Sequence, residues 1–367
     1  MVIFLIVSFL LFVTWTVINS FFMPSLPVNP SLSKQPLVSI LVPLRNEEGN
    51  VEGLINSLKQ LTYPNLEVFL LDDHSTDQTY DLLVEHTKEL THFHVIEGAP
   101  LPPTWVGKVF GCHQLSQLAS GDYLLFIDAD ARLEKATIEA TLSLARQQDA
   151  ALVTGFPRFP TKSFLGNLLV PMQHFVVYFH LPLMMANYTK KSAFTAAHGA
   201  FMFFEKNSYR RINGHFSVKS SLVEDVEITK LIKKENMQAV LANVTEYVSC
   251  YMYDISKDVW HGFTKNIFPG LGRSYPLAIS VVIFYAIFYV FPIFLSVYGV
   301  LSMQWLFVLP LILSVLQRLW IDRKAQQRLP LFLYMPFSAI SLIIILIASM
   351  LKNLSKKGYQ WKGRNYS

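Results

Sequence analysis

The sequence predicts an α/β domain with a mainly parallel sheet, flanked by transmembrane helices. Three observations carry this. Residues 1–33 and 276–316 contain no charged side chain, whereas 34–275 carry charges at ordinary globular frequency. Within that middle region short apolar runs alternate with segments of helical spacing, the pattern of layered α/β domains. Two of the runs, 66–71 and 123–127, stop abruptly at acidic residues: Asp72-Asp73-His74-Ser75-Thr76-Asp77 and Asp128-Ala129-Asp130. Short apolar runs of this kind read as strands of a parallel sheet buried on both faces. Ligands of such sheets bind beyond the carboxyl ends of the strands. Both acidic groups then face one crevice, where carboxylates repel each other unless a cation or hydrogen-bonding ligand sits between them.

Composition agrees with a domain held between membrane segments. Of 367 residues, 52% are hydrophobic and 16% charged, against about 25% charged in soluble proteins. The net charge of +5, concentrated late in the chain, suits an anionic lipid surface. No basic face interleaved with aromatics occurs in the globular part, so nucleic acid is not an expected partner. Cys112 and Cys250 are too few and too far apart for a disulfide framework, which fits a reducing cytosol.

In chain order, residues 1–23 form an N-terminal anchor, since about 20 apolar residues span a bilayer as a helix. A cleaved signal peptide is the competing reading, but a basic start and a small-residue cleavage pattern are lacking. Residues 24–36, with four prolines, form a linker. A first strand over 37–43 is followed by Val51, Leu54, Ile55, Leu58 and Leu61 at helical spacing. Strand 66–71, a helix near 78–90, strand 93–96, a helix over 105–119 and strand 123–127 continue the alternation. Beyond Asp130 a helix over 135–146 and a strand over 150–154 are expected. Residues 164–187 are apolar and aromatic, interrupted by Pro171 and Pro182. They read as an amphipathic element at the membrane face, with a buried hairpin as the alternative. A strand over 200–204, a short helix over 208–214 and a helix over 223–235 close the domain. Apolar stretches follow at 277–301, 305–319 and 329–351. The second is short, and the third carries Pro330 and Pro336, so either is a candidate for a kinked or re-entrant element. The basic loop 318–328 and the basic tail both favour the cytosolic side.

The set Pro43-Leu44-Arg45-Asn46-Glu47, Asp72-Asp73-His74-Ser75-Thr76-Asp77, Asp128-Ala129-Asp130 and Glu224-Asp225 resembles the motif order of the family-two inverting glycosyltransferases. The resemblance covers about residues 37–275 and implies a GT-A fold that binds a nucleotide-diphosphate sugar. It is closer to the membrane enzymes acting on isoprenoid lipids, the carotenoid-acid (diaponeurosporenoate) and hopanoid-associated groups. Trp105-Val106-Gly107-Lys108, Gly262-Phe263-Thr264-Lys265 and the terminal Trp361-Lys362-Gly363-Arg364-Asn365-Tyr366-Ser367 carry that closer similarity. The chain departs from the processive polymerases of the family. Their Gln-x-x-Arg-Trp motif is absent before the first C-terminal apolar stretch, and Gln317-Arg318-Leu319-Trp320 sits inside a later one.

Chemistry gives these residues roles. A diphosphate leaving group needs its charge neutralised, and a divalent cation (Mn2+ or Mg2+) held by one or two carboxylates supplies this. The resemblance assigns direct metal contact to Asp130 and places Asp128 towards the metal or ribose; capping of a turn is the alternative for the pair. It puts Asp73 at the nucleotide base, where a carboxylate accepts the uracil N–H, so a UDP-sugar donor is expected. Pro43, at the end of the first strand, and Glu47, just after it, fall where the resemblance implies base and ribose contacts; for Glu47 a solvated charge at a helix start is an equal reading. Asp77 reads as a helix cap. Asp225 matches the base that lies opposite the leaving group, with a helix-start acid as the alternative. Lys108, just inside a helix start, is expected to supply positive charge to the diphosphate, with an exposed surface lysine as the alternative. No Cys/His spacing supports zinc, and no Walker-type loop is present.

The expected protein is a membrane-bound inverting glycosyltransferase. It takes a sugar, glucose in this reading, from a UDP-sugar and passes it to an isoprenoid-type membrane lipid such as a carotenoid acid. Polyprenyl phosphate or a glycerolipid is an alternative acceptor, and a catalytically silent scaffold an alternative role. The expected layout is anchor 1–23, linker 24–36, catalytic domain 37–275, membrane segments 276–351 and basic tail 352–367. The chain would be multi-pass in the bacterial cell membrane, with the catalytic domain facing the cytoplasm.

Overall fold

The computed structural model describes residues 1–28, 30, 32 and 34–354, together with the backbone of Tyr359–Trp361 and Arg364–Tyr366. The side chains of the basic tail beyond residue 354, including the terminal Trp361–Ser367 motif, lie outside the described residues. Contacts divide the chain into two units. One comprises Phe22–Arg158 and Leu181–Cys250; the other comprises Met1–Phe21, Phe159–His180 and Tyr251–Ser367.

The first unit is built on strands β1 (Val38–Leu44), β2 (Leu66–Asp72), β3 (Phe93–Glu97), β4 (Tyr123–Phe126), β5 (Ala131–Leu133), β6 (Ala150–Thr154), β7 (Met202–Glu205), β8 (Gln238–Leu241) and β9 (Val248–Cys250). Seven of them form one sheet in the order β3-β2-β1-β4-β7-β6-β8. β2 pairs in parallel with β1 and β3, β1 with β4, and β6 with β8; β7 runs antiparallel to both its neighbours. The sheet is therefore mixed and mostly parallel. β5 and β9 form a separate antiparallel pair that joins Ala131 to Cys250.

Burial explains the choice of central strand. Val38, Ile40, Leu41 and Val42 of β1 are fully buried, as are Leu70 and Leu71 of β2 and Leu125 of β4. Apolar side chains on both faces need cover on both faces, and helices supply it. In the helix Glu48–Lys59, Val51, Leu54, Ile55 and Leu58 are buried, matching the 3.6-residue spacing in the sequence. Pro43 is tolerated within β1 because of register. Leu41 O accepts from Ile127 N–H, so odd residues of β1 face β4. The pairing ends at Phe126, so the missing Pro43 N–H faces a neighbour that has already turned away.

The second half of this unit is held by buried polar ties. The Lys233 ammonium, on the helix Glu224–Lys234, donates to the carbonyls of Ala186 and Phe194 at 2.6 Å each. Asn187 donates to Phe22 O and Leu241 O and accepts from Leu241 N–H. These bonds fix the segment that leads into Gly199.

Among the described residues, the second unit contains four helices long and apolar enough to cross a membrane: Val2–Ser20, Tyr275–Leu301, Trp305–Lys324 and Leu331–Leu354. The first of the three C-terminal stretches widens into a π turn at Ala286–Val290, next to Pro292, whose missing N–H breaks the regular ladder. The second is longer than its apolar run. It continues through Gln317, Arg318 and Asp322 to Lys324, because Arg318 Nε pairs with Asp322 Oδ1 at 2.7 Å and both side chains are wholly buried. Arg318 thus belongs to a helix interior and not to a basic loop. The third begins with Pro336 in its first turn, where a proline costs no hydrogen bond. Residues 164–188 break into the helices Phe164–Leu169, Met172–His180 and Leu183–Tyr188, with Pro171 and Pro182 at the two breaks.

Polar side chains inside an apolar bundle are retained only when paired. Here Tyr289 Oη donates to Gln317 Oε1 at 2.8 Å, and Gln317 Nε2 donates to Thr16 Oγ1 at 2.9 Å. Asp322→Ala would leave the Arg318 guanidinium without its carboxylate. We expect a loss of about 3–5 kcal/mol, read as a lower unfolding temperature in detergent. The double change Arg318→Met with Asp322→Leu should recover most of it.

Candidate active site

Strands β1 and β2 end together, Leu44 being level with Asp72, while β4 ends earlier, Phe126 being level with Leu41. The loop after β1 carries Glu47, the end of β2 carries Asp72 and Asp73, and the turn after β4 carries Asp128 and Asp130. The two acidic groups therefore flank the central strand at one edge of the sheet.

On the β2 side, Asp73 is buried, and its backbone N–H donates to Leu44 O at 2.7 Å. The Arg45 guanidinium donates to the carbonyls of Asp73 and His74, tying the two strand ends. Asn46 takes a left-handed φ of 52°, which its short polar side chain tolerates, and its Oδ1 accepts from Thr76 N–H. Asp77 accepts from Thr79 N–H and Thr79 Oγ1 and from Glu48 N–H. It holds two helix starts at once, and those hydrogen bonds keep its pKa low despite partial burial. Asp72 differs: Oδ2 accepts from Ser75 N–H, while Oδ1 is buried with no hydrogen-bond partner among the described residues.

Glu47 precedes the helix Glu48–Lys59, and its Oε2 accepts from Asn50. Pro43 packs on the helix Gly107–Leu118, where a Cβ on Gly111 would meet its ring at 3.1 Å. That helix carries Lys108 at its first turn.

On the β4 side, the Lys108 ammonium lies 2.7 Å from Asp128 Oδ1 and 3.0 Å from Glu224 Oε1. Burial lowers its pKa, but Asp128 and Glu224 outweigh this and hold it well above the usual lysine value. Asp130 accepts a weak hydrogen bond from Cys250 Sγ at 3.3 Å. Loss of water, then the charges of Asp128 and Glu47, push its pKa up to about 7. Asp225, in the first turn of the helix Glu224–Lys234, accepts from Gly199 N–H at 3.1 Å and from its neighbour Val226 N–H. Its pKa is also pushed up to about 7, by burial first and by Glu224 second. His198 is buried and its Nδ1 accepts from Ala200 N–H. Burial lowers its pKa to about 4, so it is neutral and fixes the Gly199 loop.

All of the expected site residues, Pro43, Glu47, Asp73, Lys108, Asp128, Asp130 and Asp225, thus fall in the first unit. Lys265 lies in the helix Ser256–Gly270 of the other. Sequence reading left out Glu224, Gly199, Cys250 and Asp72 as working parts. Glu224 stood beside the chosen acid. Gly199 carries a signal only in three dimensions, where an added Cβ would sit 2.6 Å from Lys108 Nζ. Cys250 reaches Asp130 across 120 residues.

A divalent cation fits this donor set. The charges of Asp128 and Glu47 raise the cost of ionising Asp130, which a cation would relieve. Among the described residues no group of three or more His, Cys, Asp or Glu side chains is placed to hold a metal ion by itself. One or two carboxylates with open positions is the arrangement used when phosphate oxygens complete the sphere.

Residues 39–212 of the chain match the model described as Glycosyl transferase family 2. Among curated proteins it is similar to the 4,4'-diaponeurosporenoate glycosyltransferase of Staphylococcus haemolyticus, 24% identical over 258 residues, 68% of this chain. That match spans 66% of the relative, just under two thirds of its length. The Staphylococcus aureus (strain USA300) protein of the same name is 24% identical over 347 residues, covering 90% of this chain and 88% of the relative. Among solved structures, a mannosyltransferase from Pyrobaculum calidifontis in complex with GDP-Man and Mn2+ shares the fold. Its TM-score is 0.56 at 17% identity, covering 97% of this chain and 98% of that one.

Proposed function

We propose that the protein is a membrane-bound, inverting, metal-dependent glycosyltransferase. It moves a hexose, glucose in our reading, from a UDP-sugar to an isoprenoid-type lipid such as a carotenoid acid. The observation that carries this is the meeting of Asp128, Lys108, Glu224 and the Asp225 helix start beside Asp130, in a chain with four apolar helices. The relatives' shared name supports the carotenoid-acid acceptor. The resemblance supports an active half within 37–275, with 1–23 and 276–351 in a bacterial cell membrane, the catalytic domain in the cytoplasm and the basic tail 352–367 at the same surface.

Each residue then has a task. Asp73 accepts the N–H of the base, and Pro43 and Glu47 line the base and ribose. Asp130 and Asp128 would hold the cation, which when bound neutralises charge on the departing diphosphate. Lys108 adds a further positive charge on the diphosphate side. The acceptor oxygen attacks the anomeric carbon from the face opposite the diphosphate, so the C–O bond to the acceptor forms as the bond to UDP breaks. A hydroxyl acceptor gives its proton to Asp225. A carboxylate acceptor enters ionised, and Asp225 then orients it.

Comparison of lipid extracts from cells with and without the protein tests the acceptor. A glycosylated isoprenoid lipid that disappears with the protein is the expected result. Loss of a glycosylated polyprenyl phosphate or glycerolipid instead would replace the acceptor. No change in any glycolipid would favour a silent scaffold.

A further inference from the structure

Lys108 is unusual among the charged groups of the site because it already neutralises a carboxylate assigned to the cation. Its ammonium lies 2.7 Å from Asp128 and 3.0 Å from Glu224. The three side chains are only 23%, 30% and 11% exposed, so water screens them little. Gly199 closes the other side, since any Cβ there would come within 2.6 Å of the ammonium. An ammonium and a divalent cation both in contact with Asp128 would repel each other strongly in such a site. They therefore compete for Asp128.

We propose that Lys108 is a resident counter-ion of the cation site, displaced from Asp128 when metal and nucleotide arrive together, and that Glu224 is the positioning residue that holds Lys108 once it is displaced. This rests on the nucleotide-sugar reading above. Before binding, Lys108 keeps Asp128 neutralised and a bare cation finds a half-satisfied site. A diphosphate brings negative charge that both cations can share. Lys108 then leaves Asp128, keeps Glu224 and turns its charge to the diphosphate. Glu224 adjoins Asp225 at the same helix start, so the displaced lysine keeps the donor side linked to the acceptor side. Metal and nucleotide therefore bind with positive coupling, and Lys108 sets its size.

Mn2+ uptake by the full-length protein in lipid nanodiscs tests this directly, read by the electron paramagnetic resonance signal of free Mn2+ with and without UDP. The wild type should bind Mn2+ weakly alone and more tightly with UDP. Lys108→Gln removes the competitor, so Mn2+ alone should bind about ten-fold tighter or better, with little further gain from UDP. Glu224→Gln should act in the opposite direction. It leaves Asp128 as the only carboxylate partner of Lys108, so a cation must strip the ammonium bare and binds more weakly. Gly199→Ala pushes the ammonium aside without removing charge and should tighten Mn2+ binding. If Lys108→Gln does not fold, the opposed shifts of Gly199→Ala and Glu224→Gln carry the test. Loss of affinity in all variants, or no shift in any, overturns the proposal, because damage to a purely structural bridge would not change sign. A wild type that takes up no Mn2+ even with UDP overturns the nucleotide-sugar reading as well.

Discussion

Asp225→Asn should lower sugar transfer by about 100-fold or more while the protein still folds and binds its donor. Asn keeps an oxygen for the Gly199 N–H that Asp225 accepts at 3.1 Å and gives up only the local bond from Val226 N–H, so the tie between the helix start and the Gly199 loop is kept. What it loses is the capacity to take a proton or to act as a charged guide. A positioned base contributes about 10²–10⁴-fold, and misplacement of a reacting group by about 1 Å costs about 10². The pH profile identifies the cause. The Asp225 carboxyl is raised to about 7 by burial and by Glu224. If it deprotonates a hydroxyl, the rate of the wild type rises with pH through about 7 and levels above it, as the ionised form fills. With a carboxylate acceptor that rise is absent. Full activity in Asp225→Asn would remove Asp225 from the mechanism.

Asp130→Asn should be as damaging to turnover and yet harmless, or favourable, to stability. Asp130 sits beside Asp128 and Glu47, and their charges add to the cost of its ionisation. A neutral amide relieves that repulsion when no cation is present. The melting temperature of the metal-free protein should stay level or rise by a few degrees, while Mn2+ affinity with UDP and transfer both collapse. Such opposition of stability and activity is expected where an active site stores like charges. An Asp130→Asn protein that melts markedly lower and still transfers sugar would show that Asp130 is a structural residue.

The first half of the sheet was legible because its signals are local. Runs 66–71 and 123–127 became Leu66–Asp72 and Tyr123–Phe126, each with its first acid within two residues of the strand end. Helix spacing marked Val51, Leu54, Ile55 and Leu58, all buried, and also Leu61, which lies beyond the helix end at Lys59 and is only half-buried. The later half was harder for a physical reason. β5 and β9 have three residues each, too short for any periodicity, and they pair across more than a hundred residues. The orientation of β7, antiparallel between β4 and β6, is a property of the sheet and not of its four residues. The helix expected over 208–214 stops earlier, at Arg211, and gives way to the 3-10 turn Gly214–Val218. Asn213 and Gly214 both take positive φ there, so the chain cannot continue as a right-handed helix. The ion pair Arg318–Asp322 was hidden because an Arg near the end of an apolar run reads equally as the start of a loop.

The same logic governs Lys108. In sequence it follows a glycine at a helix start, which suggests a charge free to meet a phosphate. In the fold it touches Asp128, 20 residues onward, and Glu224, 116 residues onward. The residue type was informative and its partners were not.

The most direct measurement is incubation of membranes bearing the wild type or Asp130→Asn with radiolabelled UDP-glucose or GDP-mannose, followed by extraction and identification of the labelled lipid. Label should pass from UDP-glucose to an isoprenoid-type lipid with the wild type and stay at background with Asp130→Asn. Label from GDP-mannose alone would contradict the uridine donor. Equal background with both proteins and both donors would contradict glycosyl transfer itself.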